Sequence, residues 1–250
     1  MTVSIEAIDH VCVVEFSRPP HNYFDAALIG AVADACAEAS ARPECRAVVL
    51  ASSGRHFCAG ADFAGPDGDS FDTATLYAAG LPLFEIDVPL VAAVQGSAIG
   101  GGFGLALAAD FRVAGPSTRF RCNFARLGIH HGFGLTVTLP RVVGDQLALD
   151  LLCTGRTVDG EEALRIRLCD RLAPEGEVRQ EAVALAAALA ANGPIAVQAI
   201  RRTMRAGLRD AVRDATAREH SAQQLCRTTS DFAEGVHAAS ERREPRFLGR

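Results

Sequence analysis

The stretch Pro89-Leu-Val-Ala-Ala-Val-Gln-Gly-Ser-Ala-Ile-Gly-Gly-Gly-Phe-Gly-Leu-Ala-Leu-Ala-Ala-Asp110 decides the fold of this chain. Residues Leu90 to Val94 form a short apolar run between a proline and a glycine, which is the pattern of a buried strand. Residues Leu105 to Ala109 consist of alanine and leucine and indicate a buried helix. The three glycines at 100–102 lie between them, where they permit positive φ angles and the close approach of another atom to the main chain.

The turn at these glycines predicts a binding site for negative charge. A helix that begins there directs unpaired N–H groups, and the positive end of its dipole, into the space above the turn. Such groups bind a phosphate, or an oxygen that gains charge during a reaction; a tight turn without a ligand is the alternative. A phosphate loop requires a lysine, which the chain lacks entirely, and the dinucleotide fingerprint is incomplete. The pattern therefore favours an oxyanion.

A second candidate donor follows the apolar strand from Arg46 to Ser52. The segment Phe57-Cys-Ala-Gly-Ala-Asp62, together with the stretch from Pro89, resembles the two signature motifs of the crotonase (enoyl-CoA hydratase/isomerase) superfamily. The resemblance covers nearly the whole chain. Alternating strands and helices argue for an α/β fold. The resemblance specifies a crotonase-like spiral of ββα units in residues 1–193 and a C-terminal helical oligomerisation region in residues 194–250.

The resemblance also implies a site and a ligand. The main-chain N–H groups of Ala61 and Gly101 are expected to form an oxyanion hole for the thioester carbonyl of an acyl-CoA, so that an enolate is stabilised. Coenzyme A belongs to the substrate, and neither a separate cofactor nor a metal ion is expected. The substrate-binding residues that the resemblance implies are His21, Asn22, Ala59, Gly60, Asp62, Phe63, Gly102, Gly104 and Phe124.

The proton-transfer groups depart from the family pattern. Hydratases of this family use two glutamates, and Gly104 and Phe124 stand at their places, although neither side chain can transfer a proton. His130 and His131 occupy a segment that borders the acyl pocket in the family, and imidazole titrates near about pH 6.5. We expect His131, or else His130, to act as acid or base; a structural role is the alternative.

Other polar residues near these motifs are weaker candidates. Arg119, Arg121 and Arg126 are interpreted either as a clamp for a substrate carboxylate or as surface arginines in ion pairs. Cys122 is interpreted either as a nucleophile or as a packed core thiol. Asp110 is interpreted as a turn or cap residue. Tyr77 is placed within reach of the pocket.

Composition limits the remaining classes of function. Residues 195–250 carry 11 arginines against 7 acidic residues, and residues 1–194 carry 14 against 23. The arginine-rich helix after Pro194 is interpreted as a solvated or subunit-facing face, because no aromatic residues are interleaved as in a nucleic-acid-binding surface.

The N-terminus shows no signal peptide and no long apolar run, and eight scattered cysteines are typical of reduced thiols. We expect a cytoplasmic homotrimer or dimer of trimers that binds neither nucleic acid nor membrane.

Three functions remain open at this stage. The first is an enzyme of enolate chemistry on an acyl-CoA, by isomerisation, decarboxylation, hydrolysis or hydration with an unusual acid/base pair. The second is ordinary two-glutamate hydration of an enoyl-CoA, and the third is a non-catalytic acyl-CoA-binding homologue. The acyl chain is expected to be selected by the loop at residues 64–75.

Overall fold

The computed structural model describes residues 1–61 and 72–250. The strands of this part are β1 (Thr2–Ile8), β2 (Val11–Ser17), β3 (Ala47–Ser52), β4 (Leu90–Val94), β5 (Ser97–Ile99), β6 (Phe111–Ala114), β7 (Arg119–Arg121), β8 (Thr157–Asp159) and β9 (Arg171–Leu172). Its α-helices are α1 (Ala26–Ala41), α2 (Thr73–Gly80), α3 (Gly101–Ala108), α4 (Leu135–Val143), α5 (Asp145–Thr154), α6 (Gly160–Arg165), α7 (Val178–Ala190), α8 (Pro194–Met204), α9 (Leu208–Arg227) and α10 (Ser230–Ser240).

The main sheet has the order β1-β2-β3-β4-β6-β9. Only β1 and β2 are antiparallel; the other neighbours run parallel, as in an α/β protein. Strands β3 and β4 are buried along their whole length, which explains why their sequences are continuous apolar runs rather than alternating ones. The predicted α/β class is confirmed.

Each face of this sheet packs into its own hydrophobic core. In β3, Val48 and Leu50 point into a large core that also contains the buried face of α1. The intervening Val49 and Ala51 point to the opposite side, where α7 covers the sheet. The period-two alternation of side chains therefore divides one apolar strand between two cores.

A small second sheet brings the two motifs together. It has the order β5-β7-β8, and the bridge between Cys58 and Ala98 connects it to the segment that follows β3. The amide of Ile99 donates to the carbonyl of Cys58 at 3.0 Å, and the amide of Cys58 donates to Ser97 at 3.0 Å. The segment 58–61 and the start of α3 are thereby held side by side.

Several predicted elements match the structure and others differ from it. Helix α1 spans Ala26–Ala41, and Asp25 caps it by accepting the Leu28 amide at 2.9 Å, in agreement with the preference for aspartate at this position. Strand β1 was not predicted, because Thr2–Ile8 is an exposed edge strand with little apolar patterning. Helix α3 begins at Gly101 rather than at Leu105, since the glycines themselves form its first turn.

The interpretation of the arginine-rich helix as a solvated or subunit-facing face is wrong for two of its arginines, whereas the side chain of Arg202 is 73% exposed. Arg201 and Arg205 do not lie on a solvated or subunit-facing face, because both pair with Asp110, at 2.7 Å each. The apolar Ile200 and Met204 face outward instead and are 63% and 70% exposed. An arginine can be buried when a carboxylate inside the protein pairs with it. The helical spacing of the arginines does not show whether such a partner is present.

Helix α9 belongs to the same packing unit as the sheet. Its residues Leu208 and Val212 are buried in the large core together with α1. Among the described residues, no single helix is both long and apolar enough to cross a bilayer; Val178–Ala190 and Pro194–Arg227 reach that length and composition only as a pair bent by 106°.

Candidate active site

Two main-chain amides form the centre of the site. Ala61 ends the described part of the segment after β3, and Gly101 is the first residue of α3, so its N–H has no partner within the helix. Within residues 1–61 and 72–250, neither amide has a hydrogen-bond acceptor. Both residues line one cavity. Two free amide donors at one cavity, one of them at a helix N-terminus, are suited to bind an oxygen on which negative charge develops.

Glycine is required at two positions around these donors. Gly60 has a φ of +83°, and a Cβ on it would lie 2.7 Å from the carbonyl oxygen of Ile99. A Cβ on Gly101 would lie 1.7 Å from Cζ of Phe24, whose ring packs directly against the start of α3. The close approach that the sequence predicted for the glycines at 100–102 is found at Gly101, against an aromatic ring, and Gly60 shows a second close approach, against a backbone carbonyl.

The cavity has a volume of about 40 Å³ and a largely apolar wall. Aromatic rings supply much of this wall. The ring centroids of Phe24 and Phe133 lie 5.7 Å apart, and those of Tyr77 and Phe133 lie 6.3 Å apart. The described residues that line it are Phe24, Ala59, Gly60, Ala61, Thr73, Leu76, Tyr77, Ile99, Gly100, Gly101, Asn123, Phe124, Leu127, Gly132, Phe133 and Gln223.

The structure brings part of the predicted site together. Ala59, Gly60, Ala61, Gly101 and Phe124 all line the cavity. The backbone carbonyl of His21 accepts the Ala59 amide at 3.1 Å, which keeps the segment around His21 beside the site. The Asn22 side chain is committed to the fold, because its amide donates to Ser53 and His56 and accepts from Arg18.

The remaining predicted positions serve other purposes or lie elsewhere. Gly102 packs on the loop after β3, where a Cβ would be 2.3 Å from the Cys58 carbonyl oxygen. Gly104 faces Phe133, where a Cβ would be 3.0 Å from that residue's Cβ and Cδ1. Asp62 and Phe63, together with most of the loop predicted to select the acyl chain, lie outside the described residues.

His131 belongs to a chain of polar contacts that ends at the buried Glu219 carboxylate. Its Nε2 lies 2.9 Å from the hydroxyl of Thr136, and that hydroxyl donates to the Glu219 carboxylate at 2.6 Å. Burial, and to a smaller degree the neighbouring His130, lower the pKa of His131 to about 4, so the ring is neutral at physiological pH. Neither histidine is among the residues that line the cavity. Their proton-transfer role therefore stays a prediction.

The Glu219 carboxylate is the anchor of this region. It is 1% exposed and also accepts the amides of Gly134 and Thr136, at 2.8 and 3.0 Å. These amides belong to the start of α4, so a carboxylate from α9 caps a helix that lies more than 80 residues earlier in the chain.

Tyr77 reaches the cavity, as the sequence predicted. Its hydroxyl donates to the Gln223 side-chain oxygen at 2.9 Å, and Gln223 donates onward to the carbonyl of His130 at 2.8 Å. Burial, aided by the negative charge of Glu219, raises the pKa of Tyr77, so the phenol is a neutral hydrogen-bond donor.

The weaker candidates resolve into structural roles. Arg126 pairs with Glu244, and Arg121 donates to the carbonyl of Gly155 at 2.8 Å. Burial raises the pKa of the Cys122 thiol, which favours packing over nucleophilic attack. Asp110 is neither a cap nor at the cavity, because its carboxylate holds two arginines and the amide of Leu90.

Sequence reasoning missed several residues of the cavity wall. Phe24 and Phe133 flank motifs that were recognised, and their aromatic character was the available signal. Asn123 directly precedes the predicted site residue Phe124, but a single polar residue in a short segment forms no sequence pattern that would indicate a binding site. Gln223 lies on α9, and no sequence feature connects that helix with residues 61 and 101.

The chain matches a known protein family over almost its whole length. A profile of the enoyl-CoA hydratase/isomerase family matches residues 6–250. The chain belongs to that family.

Individual relatives align with this chain over almost their full length. Enoyl-CoA hydratase EchA19 of Mycobacterium tuberculosis is 32% identical over 98% of this chain and 96% of its own. Crotonyl-CoA hydratase of Syntrophomonas wolfei is 31% identical over 99% of this chain and 98% of its own. The crystal structure of an enoyl-CoA hydratase/isomerase from Pseudoalteromonas atlantica superposes with a TM-score of 0.87 at 28% identity, covering 99% of this chain and 100% of that one.

Proposed function

We propose that the protein is an enzyme that acts on an acyl-CoA thioester by stabilising an enolate at the amides of Ala61 and Gly101. The observation that carries this proposal is that both amides line one cavity and lack an acceptor within the described residues. A thioester carbonyl placed there would accept two hydrogen bonds, and these bonds strengthen as the oxygen becomes negative.

The reaction proposed here does not rely on two glutamates. Gly104 packs against Phe133, and Phe124 is a buried aromatic of the cavity wall, so neither position offers a carboxylate. His131 is the proposed acid or base, and His130 is the reserve. The neutral His131 ring, with its Nε2 engaged by Thr136, leaves Nδ1 as the basic atom.

The acyl group needs more room than the cavity provides. A volume of about 40 Å³ accommodates little more than ordered water, whereas ligand sites usually exceed about 300 Å³. We propose that the Phe24 ring turns away from Gly101 when the thioester binds. The backbone of Phe24 can remain in place during this motion, because its amide is tied to the carbonyl of Gly60 at 3.0 Å.

The test of the proposal is isotope exchange at the α-carbon. Butyryl-CoA incubated with the protein in heavy water should gain deuterium next to the thioester, because the oxyanion hole stabilises the enolate. S-butyl-CoA, a thioether without the carbonyl oxygen, is the matched ligand control and should bind at least 10-fold more weakly. Equal binding of the two ligands would show that the amides do not hold the carbonyl. Butyryl-CoA binding without exchange would identify a non-catalytic acyl-CoA-binding homologue.

Ordinary hydration of an enoyl-CoA is the second candidate, because the matched relatives carry hydratase names. Crotonyl-CoA distinguishes the two candidates. Rapid formation of the 3-hydroxy product by the wild-type protein would favour hydration with groups other than glutamates at 104 and 124. Deuterium exchange with no hydrated product would favour the enolate reaction without water addition.

We also propose that the protein assembles as a homotrimer or dimer of trimers in the cytoplasm. The outward-facing Ile200 and Met204 on α8 support an interface, because they are one turn apart and mostly exposed in the single chain. Light scattering after size-exclusion chromatography tests this, and a monomer at micromolar concentration would contradict it. The boundary between residues 193 and 194 remains a proposed division between the core and the oligomerisation region.

A further inference from the structure

Among the described residues, four polar side chains line the cavity, and three of them have hydrogen-bond partners. The Thr73 hydroxyl lies 2.7 Å from Nδ1 of His220. Tyr77 and Gln223 are hydrogen-bonded to each other, and Gln223 also binds the carbonyl of His130. The side-chain amide of Asn123 has no hydrogen-bond partner among residues 1–61 and 72–250.

The position of Asn123 is fixed beside the oxyanion donors. Strand β7 pairs with β5, so that Arg121 lies opposite Ile99, and the amide of Gly100 donates to the carbonyl of Arg121 at 2.8 Å. Asn123 follows two residues later. Its Oδ1 lies 3.2 Å from the point where a Cβ on Gly100 would be. The free amide group is therefore next to the residue that precedes the Gly101 donor.

The surroundings of this amide are mostly apolar. Phe24, Phe124, Leu127 and Phe133 line the same cavity, so a bound acyl chain would cover the amide without offering it a partner. Covering a polar group in this way is unfavourable, whereas an oxygen on the ligand would satisfy it. A site built to hydrogen-bond a substrate oxygen discriminates strongly against the analogue that lacks it.

We propose that Asn123 is a specificity-determining residue that binds a hydroxyl or keto oxygen on the acyl chain close to the thioester. An amide can donate to a keto oxygen and can either donate to or accept from a hydroxyl, so both groups fit. The substrate class is then an oxygenated acyl-CoA rather than a plain saturated or enoyl one. This inference rests on the proposed function, because it assumes that the thioester carbonyl lies at Ala61 and Gly101.

The experiment compares two ligands that differ by one hydroxyl. Isothermal titration calorimetry with the wild-type protein should give a 10-fold or greater preference for 3-hydroxybutyryl-CoA over butyryl-CoA. Asn123→Leu keeps a branched side chain with the same number of heavy atoms but without the amide, and it should abolish the preference, so that the ratio of the two dissociation constants falls to about one. Asn192→Leu is the matched control, because Asn192 lies at the exposed end of α7, and it should keep the preference.

The outcomes separate this inference from the function on which it rests. Equal wild-type affinity for the two thioesters would overturn the role of Asn123 while supporting acyl-CoA binding, and it requires no variant to fold. A preference that persists in Asn123→Leu would assign the oxygen to another group and overturn the inference as well. Failure of both thioesters to bind the wild-type protein would overturn the proposed function itself.

Discussion

Replacing the buried carboxylate of Glu219 tests the contact between α9 and α4. The carboxylate accepts three donors, which are the amides of Gly134 and Thr136 and the hydroxyl of Thr136. In Glu219→Ala the hydroxyl can turn to His131, but the amide of the buried Gly134 and the partly buried amide of Thr136 both lose their acceptor. Each amide left unpaired costs about 1–3 kcal/mol, and the lost charge at the helix N-terminus adds about 0.3–1 kcal/mol. We expect the free energy of unfolding to fall by about 4 kcal/mol.

Urea unfolding at pH 7 measures this change by linear extrapolation. Glu219→Gln should cost about 2 kcal/mol, because one oxygen remains to accept hydrogen bonds while the new NH₂ group meets the amide of Gly134. Glu44→Ala is the control, since Glu44 is exposed and makes no side-chain hydrogen bond or ion pair among the described residues, and it should stay within about 0.5 kcal/mol of wild type. A loss below about 1 kcal/mol in Glu219→Ala would refute the assignment of these bonds.

Three further measurements test other parts of the molecule. Asp110→Asn should destabilise the protein by about 3 kcal/mol in urea unfolding, because it leaves two largely buried arginines without their shared carboxylate; an unchanged midpoint would contradict that pairing. The unfolded chain protonates His131 near its ordinary pKa of 6.5 and the folded chain near 4, so stability should fall as the pH drops from 6.5 to 4, by at most about 1.4 kcal/mol per pH unit from this group. His131→Gln should flatten that fall, and an identical pH profile would exclude His131 as its source. A thiol reagent should modify the exposed Cys153 first in the native protein, whereas rapid labelling of the buried Cys58 would contradict the packing around β3.

The sequence was sufficient for the parts of the fold in which local pattern and burial agree. The apolar runs at Ala47–Ser52 and Leu90–Val94 are buried along their whole length, so their composition alone indicated buried strands. The glycines at 100–102 indicated a turn with close backbone approach, and the structure shows such an approach at Gly101 and Gly102. The choice of the Ala61 and Gly101 amides came from the family resemblance.

The rest depends on contacts between residues that are distant in the chain. Glu219 and Gln223 carry no local sign that they meet α4 and Tyr77, more than 80 and 140 residues away. The inward orientation of Arg201 could be predicted only if the position of its partner Asp110 were known. A polar residue is assigned to the surface by pattern, and only the tertiary structure shows which buried partner reverses that assignment.

The contribution of α9 to the cavity has a consequence for protein synthesis. A nascent chain that has emerged only as far as α7 already contains both amide donors, both sheets and the aromatic wall. It still lacks Gln223 and the carboxylate that holds the start of α4, so the site remains incomplete while the sheet can already form. The order of translation therefore delivers the sheets and the aromatic wall before the C-terminal residues that complete the cavity.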